Sequence, residues 1–257
     1  MKKLSKITEF LEWNYDILLS SMKKVSWEII LFIALDALFY MLSFSMFYFW
    51  NKNITQRMNS VILPPPESLA SLGIAKIGMI KTEAQSFFIL LSLSILLLIA
   101  AIIFLASIIK GIIWSGTSGK RPTIFFISKF FLLNLIWMGL WFALIFSISF
   151  LAVPPYSVFF MLIAIMLGVY FTNILYSLFV EEWHLISILR AIKLGACKIH
   201  LFAIPYAIIF GLFYLIALLG GFFKFKYHVF VFSVFLIAYC AVQRYYAYNL
   251  VKKISQR

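Results

Sequence analysis

The chain has 257 residues, 64% of them hydrophobic and only 12% charged. Soluble domains run near half apolar and a quarter charged, so composition alone excludes an ordinary soluble protein and indicates a membrane protein. The formal net charge is +13, which in a soluble chain would suggest nucleic acid. In a membrane chain the placement of the cations decides, and no nucleic-acid partner is expected. Cys197 and Cys240 lie far apart, one on a polar segment and one inside an apolar run. They read as a cytosolic thiol and a packing residue rather than a disulfide or metal site.

Residues 1–28 mix Lys2, Lys3, Lys6, Lys23 and Lys24 with Glu9, Glu12 and Asp16. The long apolar run begins only near Ile29, unlike the short basic start and brief apolar core of a cleavable signal. Leu4, Ile7, Leu11, Tyr15, Leu18, Leu19 and Met22 recur at helical spacing. The expectation is an amphipathic surface helix over 1–28 leading into the first span.

Six runs are long enough for a bilayer, which needs about 20 apolar residues. They fall near residues 29–50, 87–109, 130–152, 157–180, 201–223 and 229–250, leaving a tail over 251–257. They are too long for strands and lack polar alternation, and a span must satisfy its own backbone hydrogen bonds. The fold class expected is therefore all-α, a polytopic integral membrane protein with six transmembrane helices and amphipathic cytoplasmic helices. One set of flanks (1–28, 110–129, 181–200 and the tail from Arg244) holds sixteen Lys and Arg, the other set six. The positive-inside rule then places both termini in the cytoplasm, at a plasma or inner membrane.

On the outer side, Val153–Tyr156 and Lys224–His228 read as tight turns. Asn51–Ser86 reads as a long loop, extended at Pro64–Pro66, with a short surface helix suggested by Leu69, Leu72, Ile77 and Ile80. On the inner side, Glu181–Leu201 is the only long polar segment of the second half. Drawn as one helix, it gathers Leu185, Ile188, Leu189, Ile192, Ala196 and Ile199 on one face. Ser187, Arg190, Lys193, Cys197 and Lys198 fall on the other, with Leu194 out of place. A basic amphipathic helix between two spans belongs in the headgroup layer.

An internal repeat is suggested by aligning Leu31-Phe32 with Leu201-Phe202. This also matches Leu19 with Leu189, Met22 with Ile192 and Lys23 with Lys193, and Lys110–Lys129 is a third basic segment before a span. Chance similarity between apolar stretches accounts for these matches equally well.

The stretch Leu178–Phe202, LFVEEWHLISILRAIKLGACKIHLF, has an acidic turn after the fourth span and then a basic helix running into the fifth. Together with the basic connection in Ser107–Phe130, it resembles the six-helix membrane domain of glycerophosphodiester phosphodiesterase-type proteins and its stand-alone relatives. That family's catalytic part is a soluble barrel, which this sequence lacks. The resemblance implies a membrane module rather than an enzyme.

Enzyme motifs give no better reading. Gly116-Thr117-Ser118-Gly119 is similar to the Gly-x-Ser-Gly of rhomboid proteases, but it sits in a basic loop with no histidine placed to act as base. Glu181-Glu182 lacks the arginine that intramembrane prenyl-protein proteases need, since residue 186 is Ile. Glu181 and His184 form a lone Glu-x-x-His, where a dimetal site needs two and further glutamates. The glutamates read instead as the acidic start of the amphipathic helix, facing the positive end of its dipole. His184, His200 and His228 are scattered, so no catalytic, cofactor-binding or metal residues are expected.

The feature most like a site is a polar layer inside the spans. Counted from the inner ends, Asp36, Asn134, Asn173 and Arg244 fall at similar depth, about 7–10 Å at 1.5 Å per residue, with Gln243 adjacent. A charge inside a bilayer costs about 2.5–3.5 kcal/mol on insertion scales, so Asp36 and Arg244 should face inward and can pair. Interhelical glue and a pathway or binding site both account for such a layer. The function expected is a non-enzymatic module binding lipid or a partner protein. Anionic headgroups would meet Lys23, Lys24, Lys120, Arg121, Arg190, Lys193 and Lys198. The alternative is a small transporter or channel, alone or as a homo-oligomer, using the layer around Asp36 and Arg244.

Overall fold

The computed structural model describes residues 2–23, 27–60, 74–153, 156–222 and 227–256. Among these the chain is all-α, with eight helices and no strand. They are α1 (Lys2–Lys23), α2 (Glu28–Ser60), α3 (Ile74–Thr117), α4 (Ile124–Leu151), α5 (Tyr156–Glu182), α6 (Ser187–Cys197), α7 (Ile199–Phe222) and α8 (His228–Ser255). Six of them, α2 to α5 with α7 and α8, are long and apolar enough to cross a membrane. The protein is thus a multi-pass membrane protein.

The chain forms two compact units, Met1–Ala37 with Ala106–Arg257, and Leu38–Leu105. In the first, α5 packs against α4, α6 and α8, and α8 also packs against α1 and α7. Its buried side chains concentrate at the ends of the spans nearest α1 and α6: Phe126, Phe130 and Leu133 at the start of α4, Ile174–Val180 at the end of α5, Phe202 and Tyr206 at the start of α7. Aromatic rings fill this layer, with Phe130 and Tyr176 centred 4.8 Å apart and Trp114 edge-on to Tyr176 at 5.6 Å. The far ends present Phe146, Phe150, Phe159 and Phe222 outward. In a soluble protein that surface would demand cover, but acyl chains are as apolar as phenylalanine.

Local sequence sets the helix ends. Thr123 N-caps α4, its hydroxyl accepting from the Phe126 amide at 3.1 Å, and Pro122 before it cannot extend the preceding helix. Gly119 closes α3 at φ +76°, a conformation glycine adopts without steric cost. In the same turn Ser118 Oγ donates to the Ser115 carbonyl at 2.7 Å. The serine of the Gly-x-Ser-Gly stretch is therefore part of a helix cap.

Two expectations are corrected. The outer segment 51–86 is not a loop carrying a separate short helix: α2 runs on through Ser60, and α3 is already helical at Ile74. Asn51–Ser60 contains no Gly or Pro, so nothing in it stops a helix that has left the apolar run. In the second unit this extension is pinned where Trp50 Nε1 donates to Ser94 Oγ at 3.1 Å. Pro64–Pro66, Leu69 and Leu72 lie outside the described residues, as do parts of the two outer turns.

The second correction concerns Glu181–Leu201, which is not one helix. α5 continues to Glu182, Trp183 breaks it at φ +57°, and α6 begins only at Ser187. Trp183 is held in this uncommon conformation because its indole donates to the Val180 carbonyl at 3.1 Å and its ring packs on Phe126. Glu181 and Glu182 consequently close the preceding span rather than open the amphipathic helix. They face the negative end of a helix dipole, so other groups must compensate them.

Candidate functional site

The compensation comes from neighbouring segments. Lys120 Nζ donates to Glu181 Oε2 at 2.8 Å and to the Val180 carbonyl at 2.8 Å. One ammonium thus caps α5 and neutralises its last turn. The Tyr248 hydroxyl donates to Glu181 Oε1, and Lys252 lies 3.5 Å from the same oxygen. Glu182 accepts from Arg190 Nη1 at 2.6 Å and from Ser187 Oγ at 3.3 Å. These contacts assign the acidic pair to joining α5, α6, α8 and the α3–α4 turn.

Helix α6 has three faces. Ser187, Ala191 and Gly195 are buried, and Ile188 and Leu194 pack against the core beside them. The small residues let the backbones approach: a Cβ on Gly195 would meet Phe171 at 2.5 Å, and the Tyr170 hydroxyl donates to the Gly195 carbonyl at 2.9 Å. Leu194, out of place on a simple wheel, is thereby accounted for. Seating the helix on its small residues turns Leu189 and Ile192 outward, with Leu189 70% exposed. Arg190 and Lys193 lie on the third face, also exposed.

At the same end of the first unit, α1 behaves similarly. It buries Asn14, Ile17 and Ser21, and Asn249 Nδ2 donates to Ser21 Oγ at 3.0 Å. Tyr15, Leu18, Leu19 and Met22 stay exposed. Of the remaining expected headgroup contacts, Lys23 and Arg121 are exposed, Lys198 is half-buried, and Lys24 lies outside the described residues.

The polar layer resolves into separate groups. Arg244 Nη2 donates to Asp36 Oδ2 at 2.5 Å, and Lys110 Nζ donates to Asp36 Oδ1 at 2.5 Å. Asp36 is 1% exposed, and the Arg244 and Lys110 side chains are 7% and 19% exposed. The Arg244 guanidinium also lies over the Trp114 ring, 5.9 Å from its centroid. Its Nη1 is buried without a hydrogen-bond partner.

Asn134 does not join this cluster. Its Nδ2 donates to Ser107 Oγ at 3.0 Å and its Oδ1 accepts from the Tyr176 hydroxyl at 2.5 Å. Asn173 stands beside the Tyr206 hydroxyl, although the two make no hydrogen bond of ordinary geometry. Gln243 is half-buried, its Nε2 without a hydrogen-bond partner. Lys110 was missed by sequence reasoning because it was counted with the inner flank. It lies well inside α3, which continues to Thr117.

Phe32, Phe130 and Phe202 are all buried, and four residues after each comes a buried polar residue: Asp36, Asn134 and Tyr206. Asp36 is met from α3 and α8, Asn134 from α3 and α5. Tyr206 is met edge-on by Tyr170 of α5 at 4.8 Å. Of the three, Asp36 is the one bonded to charged side chains. No family model, curated protein or solved structure matches the chain.

Proposed function

We propose that this membrane protein is a non-enzymatic module that binds anionic lipid headgroups at the inner surface of a plasma or inner membrane, with both termini in the cytoplasm. The observation that carries this reading is the seating of α6. Held by Ser187, Ala191 and Gly195, it turns Leu189 and Ile192 outward and sets Lys193 beside them. An apolar face with basic flanks suits the boundary between acyl chains and headgroups. Each basic residue near an anionic surface contributes about 1 kcal/mol. Lys23 and Arg121, exposed near the same end, extend the basic surface. The resemblance to the membrane domain of phosphodiesterase-type proteins agrees with a membrane-embedded binding module.

The test is lipid selectivity in nanodiscs of mixed phosphatidylglycerol and phosphatidylcholine, read with spin-labelled lipids. Selectivity for the anionic lipid should fall with salt and fall further with Lys193→Glu. Equal association of both lipids would reject the reading. A transport role is the second reading, favoured by the ionic cluster at Asp36. Solute or ion flux in proteoliposomes that depends on Asp36 would support it.

A further inference from the structure

We infer that the Asp36–Lys110–Arg244 cluster is a binding site for one phosphate group, carried by a lipid headgroup or free in solution. The inference is independent of the role given to α6.

Charge comes first. Two cations converge on one carboxylate, each at 2.5 Å, so the fully ionised cluster holds one positive charge more than it can neutralise. A net charge inside a membrane protein is expensive, and an anion removes that cost. The orphan donor comes second. Arg244 is 6% exposed, and its Nη1 has no hydrogen-bond partner while Nη2 is engaged. A buried guanidinium nitrogen left unsatisfied is costly, and in a native protein it points to a missing acceptor.

A second buried polar residue supplies the third argument. Asn134, four residues after buried Phe130 as Asp36 is after buried Phe32, is closed by Ser107 and Tyr176 with neutral hydrogen bonds. Burying a polar side chain within these spans therefore does not require ions, and the cluster at Asp36 has them for another reason.

The chemistry selects the ligand. A guanidinium offers a planar fork and an ammonium a compact charge, the pair that recognises phosphate oxygens. The Trp114 ring against the guanidinium restrains its plane. Access is on the Lys110 side, where the side chain keeps 19% exposure. Seven residues separate Lys110 from the end of α3 at Thr117, a depth of about 10 Å. A headgroup phosphate drawn slightly below its usual level, or a phosphate ion entering from the inner surface, can reach it.

The experiment uses the full chain in phosphatidylcholine nanodiscs, titrated with inorganic phosphate and, separately, with short-chain phosphatidic acid. Calorimetry should show one saturable site for at least one of these probes. Lys110→Met, which leaves Asp36 and Arg244 as a balanced pair, should keep the thermal midpoint and weaken binding about tenfold or more. Asp36→Asn removes the competing carboxylate and should tighten binding. Saturation by free phosphate would make the ligand soluble, and saturation by phosphatidic acid alone would make it a lipid. Absence of saturable binding by either probe would overturn the inference. Binding unchanged in Lys110→Met, or lost in folded Asp36→Asn, would overturn it equally.

Discussion

Asp36 and Arg244 are separated by 208 positions in the chain and by 2.5 Å in space. Their bond ties the start of the first span to the last, at a depth where neither charge has water to fall back on. Removing one partner of a buried ion pair leaves the other uncompensated, which costs about 3–5 kcal/mol. Asp36→Ala, which strands both Arg244 and Lys110, should lower the thermal midpoint in detergent sharply, whereas Arg244→Ala, which leaves Asp36 paired with Lys110, should lower it less. Small effects that simply add would show that the pair does not hold the fold.

Gly195 is the close contact of α6. A Cβ there would meet Phe171 Cε1 at 2.5 Å and Ile174 Cδ1 at 3.2 Å. Gly195→Ala should cost about 1–3 kcal/mol through overpacking. Hydrogen exchange should show the loss locally, with 187–197 deprotected while the start of α4 stays protected.

Lys120 and Tyr248 both serve Glu181 at the end of α5. Lys120→Met should cost about 1 kcal/mol, the range for a partly exposed pair. Tyr248→Phe should cost a similar amount through a lost hydrogen bond of about 1 kcal/mol. Because they share one carboxylate, the double variant should deviate from the sum in a double-mutant cycle. Strict additivity would mean that the two contacts act separately.

Cys197 is exposed on α6 and Cys240 is half-buried inside α8. With the inner face assigned as proposed, a membrane-impermeant maleimide should label Cys197 only from the cytoplasmic side. Cys240 should resist from either side. Labelling of Cys197 from outside intact cells would invert the orientation.

Six spans were legible because run length is a coarse signal that needs no neighbours. The depth count put Asp36, Asn134, Asn173 and Arg244 at one level because rise per residue is nearly constant. That Asp36 meets Arg244 while Asn134 meets Ser107 and Tyr176 depends on which faces the helices turn to one another. What stayed hidden depends on partners or on polar helix. Asn51–Ser60 has no breaker, yet its polarity marks it as loop to any hydropathy reading. The stop at Trp183 rests on an indole hydrogen bond to Val180 and packing on Phe126, in a stretch with neither Gly nor Pro. The small-residue seat of α6 was invisible because Ser187 and Gly195 look polar on a wheel, and only the rings of α5 explain their burial.

On the proposed function, an anionic lipid is held through the basic, apolar-edged face of α6. Native mass spectrometry of the gently solubilised protein, beside a Lys193→Glu variant, tests this. The wild type should retain phosphatidylglycerol over phosphatidylcholine from a mixed membrane, and the variant should lose that preference while keeping its fold. Equal retention of the two lipids by the wild type, or an unchanged preference in the variant, would contradict the claim.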